Sequence, residues 1–84
     1  MNQLTKMFEG KELTIIEKGN EPHFLLRDVC NILGIGHVAT VRKRLEDDVV
    51  SNHPIKDNLG RTQQATFVNE DGLYDVILDS RKPE

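Results

Sequence analysis

One stretch near the middle of the chain, residues 27–45, constrains the fold most, because its pattern is that of two short helices joined by a glycine-containing turn. Val29 and Leu33 are spaced as apolar residues on one face of a helix, which predicts a first helix over 27–33. Gly34 follows the last apolar residue, at a position where the left-handed conformation that ends many helices favours glycine. The sequence therefore predicts that the chain turns at this point.

A second helix is predicted over 37–46. On a helical wheel one side is apolar and the other is short, polar and basic. The apolar stripe consists of Val38, Val41 and Leu45. The opposite side carries Ala39, Thr40 and Lys43, with His37, Arg42 and Arg44 on the flanks.

A helix that packs by one face and presents a basic face is typical of DNA-recognition helices. We predict DNA contacts from this face, with Arg42, Lys43 and Arg44 at phosphates and Thr40 and His37 nearest to base edges. The net charge of −3 and the acids at 46–48 make the basic patch local. Binding through this face alone should be weak and sensitive to salt.

The spacing departs by one residue from that of the common helix-turn-helix. A small residue, Cys30, precedes the turn glycine by four, as it usually does. A branched apolar residue usually follows that glycine by six positions. Here Thr40 occupies this position, and Val41 lies seven positions after Gly34. An ordinary helical hairpin that covers a sheet, with its basic residues simply solvated, therefore stays open as an alternative.

The rest of the chain predicts short antiparallel strands and one C-terminal helix. Gly19-Asn20 is a plausible two-residue hairpin turn, since both residues tolerate positive φ. The predicted strands cover 13–17, 23–26, 49–56 (an edge strand or loop, because of Pro54) and 61–68, with turns at 9–11, 18–21 and 57–60. A helix over 70–80, capped by Asn69, completes an α+β fold in which small β-hairpins are packed by a helix-turn-helix-like pair and this last helix.

Length and composition predict a single domain over residues 1–84 with a modest packed core. The sequence has neither an apolar run long enough to span a membrane nor a secretory signal, so we expect no membrane association. The lone Cys30 suits a reducing cytoplasm and is expected to be a small buried hydrophobe rather than a reactive thiol.

Little in the chain points to catalysis or to a cofactor. Cys30 and the three histidines, His23, His37 and His53, lack metal-ligand spacing, so we predict no metal site. The glycines at 34 and 36 do not form a phosphate-binding loop after a strand. Ser51 beside His53 is interpreted as a chance juxtaposition, and we expect neither catalytic residues nor enzymatic activity.

Taken together, the motifs resemble the amino-terminal domain of the BRO family (Bro-N), which occurs in prophage antirepressors and in baculovirus repeated-open-reading-frame proteins. The resemblance covers nearly the whole chain and rests on Phe8 and Gly10, the strand Leu13–Glu17, Arg27–Cys30 with Ile32–Gly34, Val68–Tyr74, and Ser80–Pro83. It implies an α+β domain that binds DNA in front of variable C-terminal domains. Since family members continue into a Trp-containing helical segment, it also implies that this chain is truncated at its C-terminus.

The same resemblance allows a second function, because antirepressors often act through protein–protein contact. In that interpretation the domain captures a phage repressor without touching DNA, and acids such as those at 46–48 meet a basic repressor surface. A symmetric homodimer is a further expectation, since it would double a weak basic patch. A third interpretation is that the fragment does little without the missing segment.

Overall fold

A computed structural model describes residues 2–56 and 59–80. The strands are β1 (Asn2–Phe8), β2 (Lys11–Lys18), β3 (Glu21–Leu25), β4 (Val50–Lys56) and β5 (Thr62–Val68). The helices are α1 (Leu26–Ile32), α2 (Val38–Arg44) and α3 (Glu70–Ser80), and a single 3₁₀ turn, Asp47–Val49, precedes β4. The predicted α+β class is confirmed.

All five strands belong to one antiparallel sheet with the order β1-β2-β3-β5-β4. Two tight turns build its first half. Glu9-Gly10 and Gly19-Asn20 all have positive φ, the conformation that matches the right-handed twist of hairpin strands. The predicted Gly19-Asn20 hairpin is therefore confirmed, and β4 lies at the sheet edge as Pro54 required.

Residues 2–6 of strand β1 were not among the predicted strands. All its side chains from Gln3 to Phe8 are exposed, so no buried position imposes the alternation by which strands are recognised. Its backbone pairs with β2 along its whole length, from Asn2↔Glu17 to Phe8↔Lys11. The predicted turn at 57–60 lies partly outside the described residues; within it, Gly60 has a positive φ.

The main core lies between one face of the sheet and the helices. Leu13 of β2 and Val68 of β5 pack there against buried residues of all three helices, with Cys30 fully buried at its centre. A second, smaller cluster occupies the opposite face, where Ile16, Leu25 and Phe67 are almost completely buried. Because side chains alternate between the two faces of a sheet, β2 contributes side chains to both clusters.

The start of α3 is held closely against the sheet. Asn69 caps the helix as predicted, since its Oδ1 accepts a hydrogen bond from the Gly72 N–H at 2.9 Å. A Cβ at Gly72 would lie 2.8 Å from Val68 Cβ and 3.2 Å from Val49 Cβ. The absence of a side chain at Gly72 therefore leaves room for the side chains of Val68 and Val49. Tyr74 of α3 is 56% exposed.

Candidate nucleic-acid interface

The predicted helix pair exists, but α1 begins one residue earlier than predicted and α2 is shorter than predicted. Each contains seven residues, and α2 ends at Arg44, because Leu45 has extended backbone. Gly34 has a φ of +75°, as the predicted turn required. Five residues, 33–37, separate the two helices, and these features alone do not establish a helix-turn-helix.

Two hydrogen bonds hold the first helix of the pair, α1, on the sheet. Asp28 in the first turn of α1 accepts a hydrogen bond from the Thr14 N–H of β2 through Oδ2 at 2.9 Å. The Lys11 Nζ donates to the Asn31 carbonyl oxygen near the other end of α1, at 3.2 Å. Asp28 thus anchors the first turn of α1 to β2.

The helix α2 divides into a packed side and an open side as its pattern indicates. Val41 is buried, with Leu45 just beyond the helix also buried and Val38 half-buried. Thr40 and Lys43 are exposed on the other side, and His37 is exposed at the start of the helix. Arg44 is exposed as well, so four of the five predicted contact residues are accessible and Arg42 is half-buried. Among the described residues Lys43 has no ion-pair partner.

The two arginines of α2 are engaged by acids outside the helix. Arg42 Nη2 lies 3.5 Å from Asp47 Oδ1, in a pair whose acid is almost fully exposed. Arg44 Nη1 lies 2.9 Å from Oδ2 of Asp79 in α3. Exposed ion pairs contribute about 0–1 kcal/mol, so either arginine could exchange its carboxylate for a phosphate at little cost. The long-range pair with Asp79 was not foreseen, since 35 residues separate its partners.

A cluster that the sequence analysis missed lies on the sheet face away from the helices. His53 is only 5% exposed, its Nε2 is 2.8 Å from Ser51 Oγ, and its ring lies 5.6 Å from the rings of His23 and Phe67. Ser51 and His53 point to the same face because they are two residues apart on one strand. This two-residue spacing was the sequence signal for the contact between the two side chains, which the interpretation as a chance juxtaposition overlooks.

The chemistry of this cluster is limited by its surroundings. Burial is the main cause that lowers the pKa of His53, and the charges of Lys18 and His23 add to it. The Nδ1 of His23 is buried without a hydrogen-bond partner. Within residues 2–56 and 59–80, no three metal-binding side chains come together in one group. Burial also raises the pKa of the Cys30 thiol, which disfavours the reactive thiolate.

The structure is thus a small α+β domain in which one side of α2 is exposed and basic. Comparison with known families is more specific. The model of the BRO family, N-terminal domain, matches residues 12–84. The chain belongs to this family, which is associated with phage regulatory and DNA-binding proteins and is not known as enzymatic.

One curated relative is an uncharacterized protein of Haemophilus influenzae, which is 37% identical over an alignment that covers 92% of this chain. The chain spans 40% of that protein's length. No solved structure matches the chain significantly. No helix in the described part of the chain has the length and apolar character that crossing a membrane demands.

Proposed function

We propose that this chain is a DNA-binding domain of a phage or prophage regulatory protein of the antirepressor type. The observation that carries the proposal is the open side of α2. Lys43 and Thr40 project from a short helix whose other side is anchored by buried Val41. Membership of a family associated with DNA-binding regulators supports the same conclusion.

The five side chains have different roles in this proposal. Lys43 contacts a phosphate directly, because no carboxylate within the described part of the chain is paired with it. Arg42 and Arg44 contact phosphates after leaving Asp47 and Asp79. Thr40 and His37 lie nearest to base edges. Phosphate contacts position a protein on the duplex, and base contacts give it specificity.

Replacing Lys43 with alanine tests this interface. Titrating salt while measuring fluorescence anisotropy with a mixed-sequence duplex gives the slope of log K against log salt. The slope should fall by about 0.9 for the lost phosphate contact, and affinity at low salt should decrease. Lys6→Ala removes the same charge from the exposed edge strand β1 and should change neither quantity. Equal slopes and affinities for Lys43→Ala and the parent would contradict the proposed interface.

A second candidate function is the capture of a phage repressor without contact with DNA. It is favoured by an apolar cleft of about 170 Å³ between the β1–β2 hairpin, α1 and α3. Its lining consists of Phe8, Leu13, Val29, Ile32, Leu33, Leu73 and Ile77. Phe8 is 46% exposed and Leu78, near the end of α3, is 67% exposed, and exposed apolar surface of this kind often marks protein interfaces.

The two candidates give opposite results in one pair of measurements. Repressor capture predicts no binding to duplex at low salt and a stable complex with a repressor encoded in the same phage, observed by sedimentation. Phe8→Glu should weaken that complex, whereas Lys43→Ala should not. Sedimentation of the chain alone would also reveal the homodimer, which we retain as a proposal.

A further inference from the structure

The β4–β5 hairpin extends past the segment of β5 that pairs with β3. Strand β5 pairs with β3 only through Phe24↔Val68 and Leu25↔Phe67. It pairs with β4 along seven residue pairs, as far as Lys56↔Thr62. Residues 52–56 and 62–66 thus form a two-stranded ribbon whose only strand partners, within the described chain, are each other.

One face of this ribbon is polar and open. It is formed by the pairs Asn52↔Thr66, Pro54↔Gln64 and Lys56↔Thr62, which continue the side of the sheet that carries the helices. Asn52, Pro54, Lys56, Thr62 and Gln64 are exposed, since the helices pack only over the other end of β5. This ribbon face contains amides, hydroxyls and a lysine, and it contains no carboxylate.

The ribbon face lies next to the beginning of α2. A cleft of about 200 Å³ has Val38 of α2 and Arg27 of α1 on one side and Gln64 and Thr66 of β5 on the other. Val38 belongs to the packed side of α2, so the cleft joins the ribbon to the beginning of this helix, next to the exposed His37. A duplex that contacts the beginning of α2 would therefore come near the ribbon.

The two elements carry complementary chemistry. The helix α2 offers phosphate ligands but no asparagine or glutamine. Those amides make the bidentate contact that recognises adenine, and a two-stranded ribbon fits the major groove. Asn52 already accepts a hydrogen bond from Thr66 Oγ1 at 3.1 Å, whereas the side chain of Gln64 forms no hydrogen bond within the described part of the chain.

We infer that the ribbon face provides the base-specific contacts of this domain, with Gln64 recognising adenine and Lys56 contacting a nearby phosphate. This inference rests on the proposed DNA-binding function and adds to it the element that reads sequence. In this arrangement α2 mainly positions the domain on the DNA backbone, and the ribbon discriminates between base sequences.

The test begins with the selection of preferred duplexes from a randomised pool by the whole chain. The preferred duplex is then compared with duplexes in which each adenine is replaced in turn. For the parent, one replacement should weaken binding roughly 5- to 150-fold, the range expected for one bidentate contact. Gln64→Ala should remove this difference and leave affinity for a mixed-sequence duplex within about twofold of that of the parent.

Gln63→Ala is the matched control, because Gln63 is adjacent on the strand but pairs with Ile55 on the opposite face. It should retain the preference of the parent. Gln64→Glu is a second variant, since a carboxylate cannot donate the amide hydrogen bond to adenine N7; it should also lose the preference.

The outcomes separate this inference from the function on which it rests. If the parent binds duplex and Lys43→Ala weakens it, but Gln64→Ala keeps the full preference, the ribbon inference is wrong and the DNA-binding proposal stands. A selection that yields no preferred duplex also overturns the inference. If the parent binds no duplex at low salt, both proposals fail.

Discussion

His53 shows how far the environment of one residue departs from what its sequence neighbours indicate. On an edge strand it would be expected to face solvent, yet it is 5% exposed and hydrogen-bonded to Ser51. Burial, together with Lys18 and His23, lowers the pKa of its imidazole below the ordinary value of 6.5. The neutral form is therefore the one that fits the folded state.

This shift predicts that acid destabilises the domain. As pH falls below 6.5, the unfolded chain binds a proton at His53 more readily than the folded chain does. The free energy of unfolding should therefore decrease as pH falls from 6.5 towards the lowered pKa, and the contribution is absent above 6.5, where both states are neutral. Urea denaturation at several pH values should show a shallower decrease for His53→Gln than for the parent.

His37 provides the control, because it is exposed at the start of α2. His37→Gln should keep the pH dependence of the parent. If His53→Gln and the parent lost stability with the same slope, burial of His53 would not be the cause of the acid sensitivity.

At the scale of elements, α3 is defined by local signals and positioned by a close contact. The Asn69 cap fixes where the helix begins, and the missing side chain of Gly72 lets its first turn approach Val68 and Val49. Glycine in a helix normally costs about 1 kcal/mol relative to alanine. Its presence here indicates that close packing outweighs helix propensity.

Gly72→Ala should therefore destabilise the domain in spite of its higher helix propensity. The added Cβ would meet two Cβ atoms, which cannot rotate away, at 2.8 and 3.2 Å. Overpacking of this kind costs about 1–3 kcal/mol and the higher helix propensity of alanine returns about 1 kcal/mol, so a net loss of up to about 2 kcal/mol is expected in urea denaturation. Asp75→Ala, an exposed position of the same helix, should change stability by less than about 0.5 kcal/mol. A Gly72→Ala variant more stable than the parent would refute the packing argument.

At the scale of the whole molecule, the sheet consists of the three strands β1-β2-β3 and the β4–β5 hairpin. The pairing of β3 with β5, here called the seam, joins these two parts. Only two residue pairs connect β3 to β5, and Phe67, which lies in that seam, is fully buried. Its ring packs in the smaller cluster with Ile16 and Leu25 and contacts His53. Phe67 thus joins side chains from both halves of the sheet.

Phe67→Ala should cost about 3–5 kcal/mol, the loss typical for a buried phenylalanine. A domain of this size has a total stability of roughly 4–13 kcal/mol, so the variant should be largely unfolded or have a much lower melting temperature. Circular dichroism during heating would measure this change. Phe8→Ala removes the same ring from a position that is 46% exposed and should cost far less. Similar losses for both variants would mean that the seam does not hold the sheet together.

The family resemblance and the α+β class were predictable from sequence, and the comparisons and the structure confirm them. The hairpin turn at Gly19-Asn20, the buried stripe of α2 and the Asn69 cap were also correct. All three depend on residues only a few positions apart. The DNA contacts assigned to His37, Thr40, Arg42, Lys43 and Arg44 remain predictions, although four of these residues are exposed in the structure.

The tertiary structure determined which residues that are distant in the sequence contact one another. It placed Asp79 against Arg44 and brought His23 to His53. It also paired the exposed strand β1 by its backbone, which leaves no trace in the pattern of side chains. Local propensity and periodicity depend on residues a few positions apart in the sequence. These contacts instead depend on the strand order β1-β2-β3-β5-β4, which forms only when the whole sheet packs with its core.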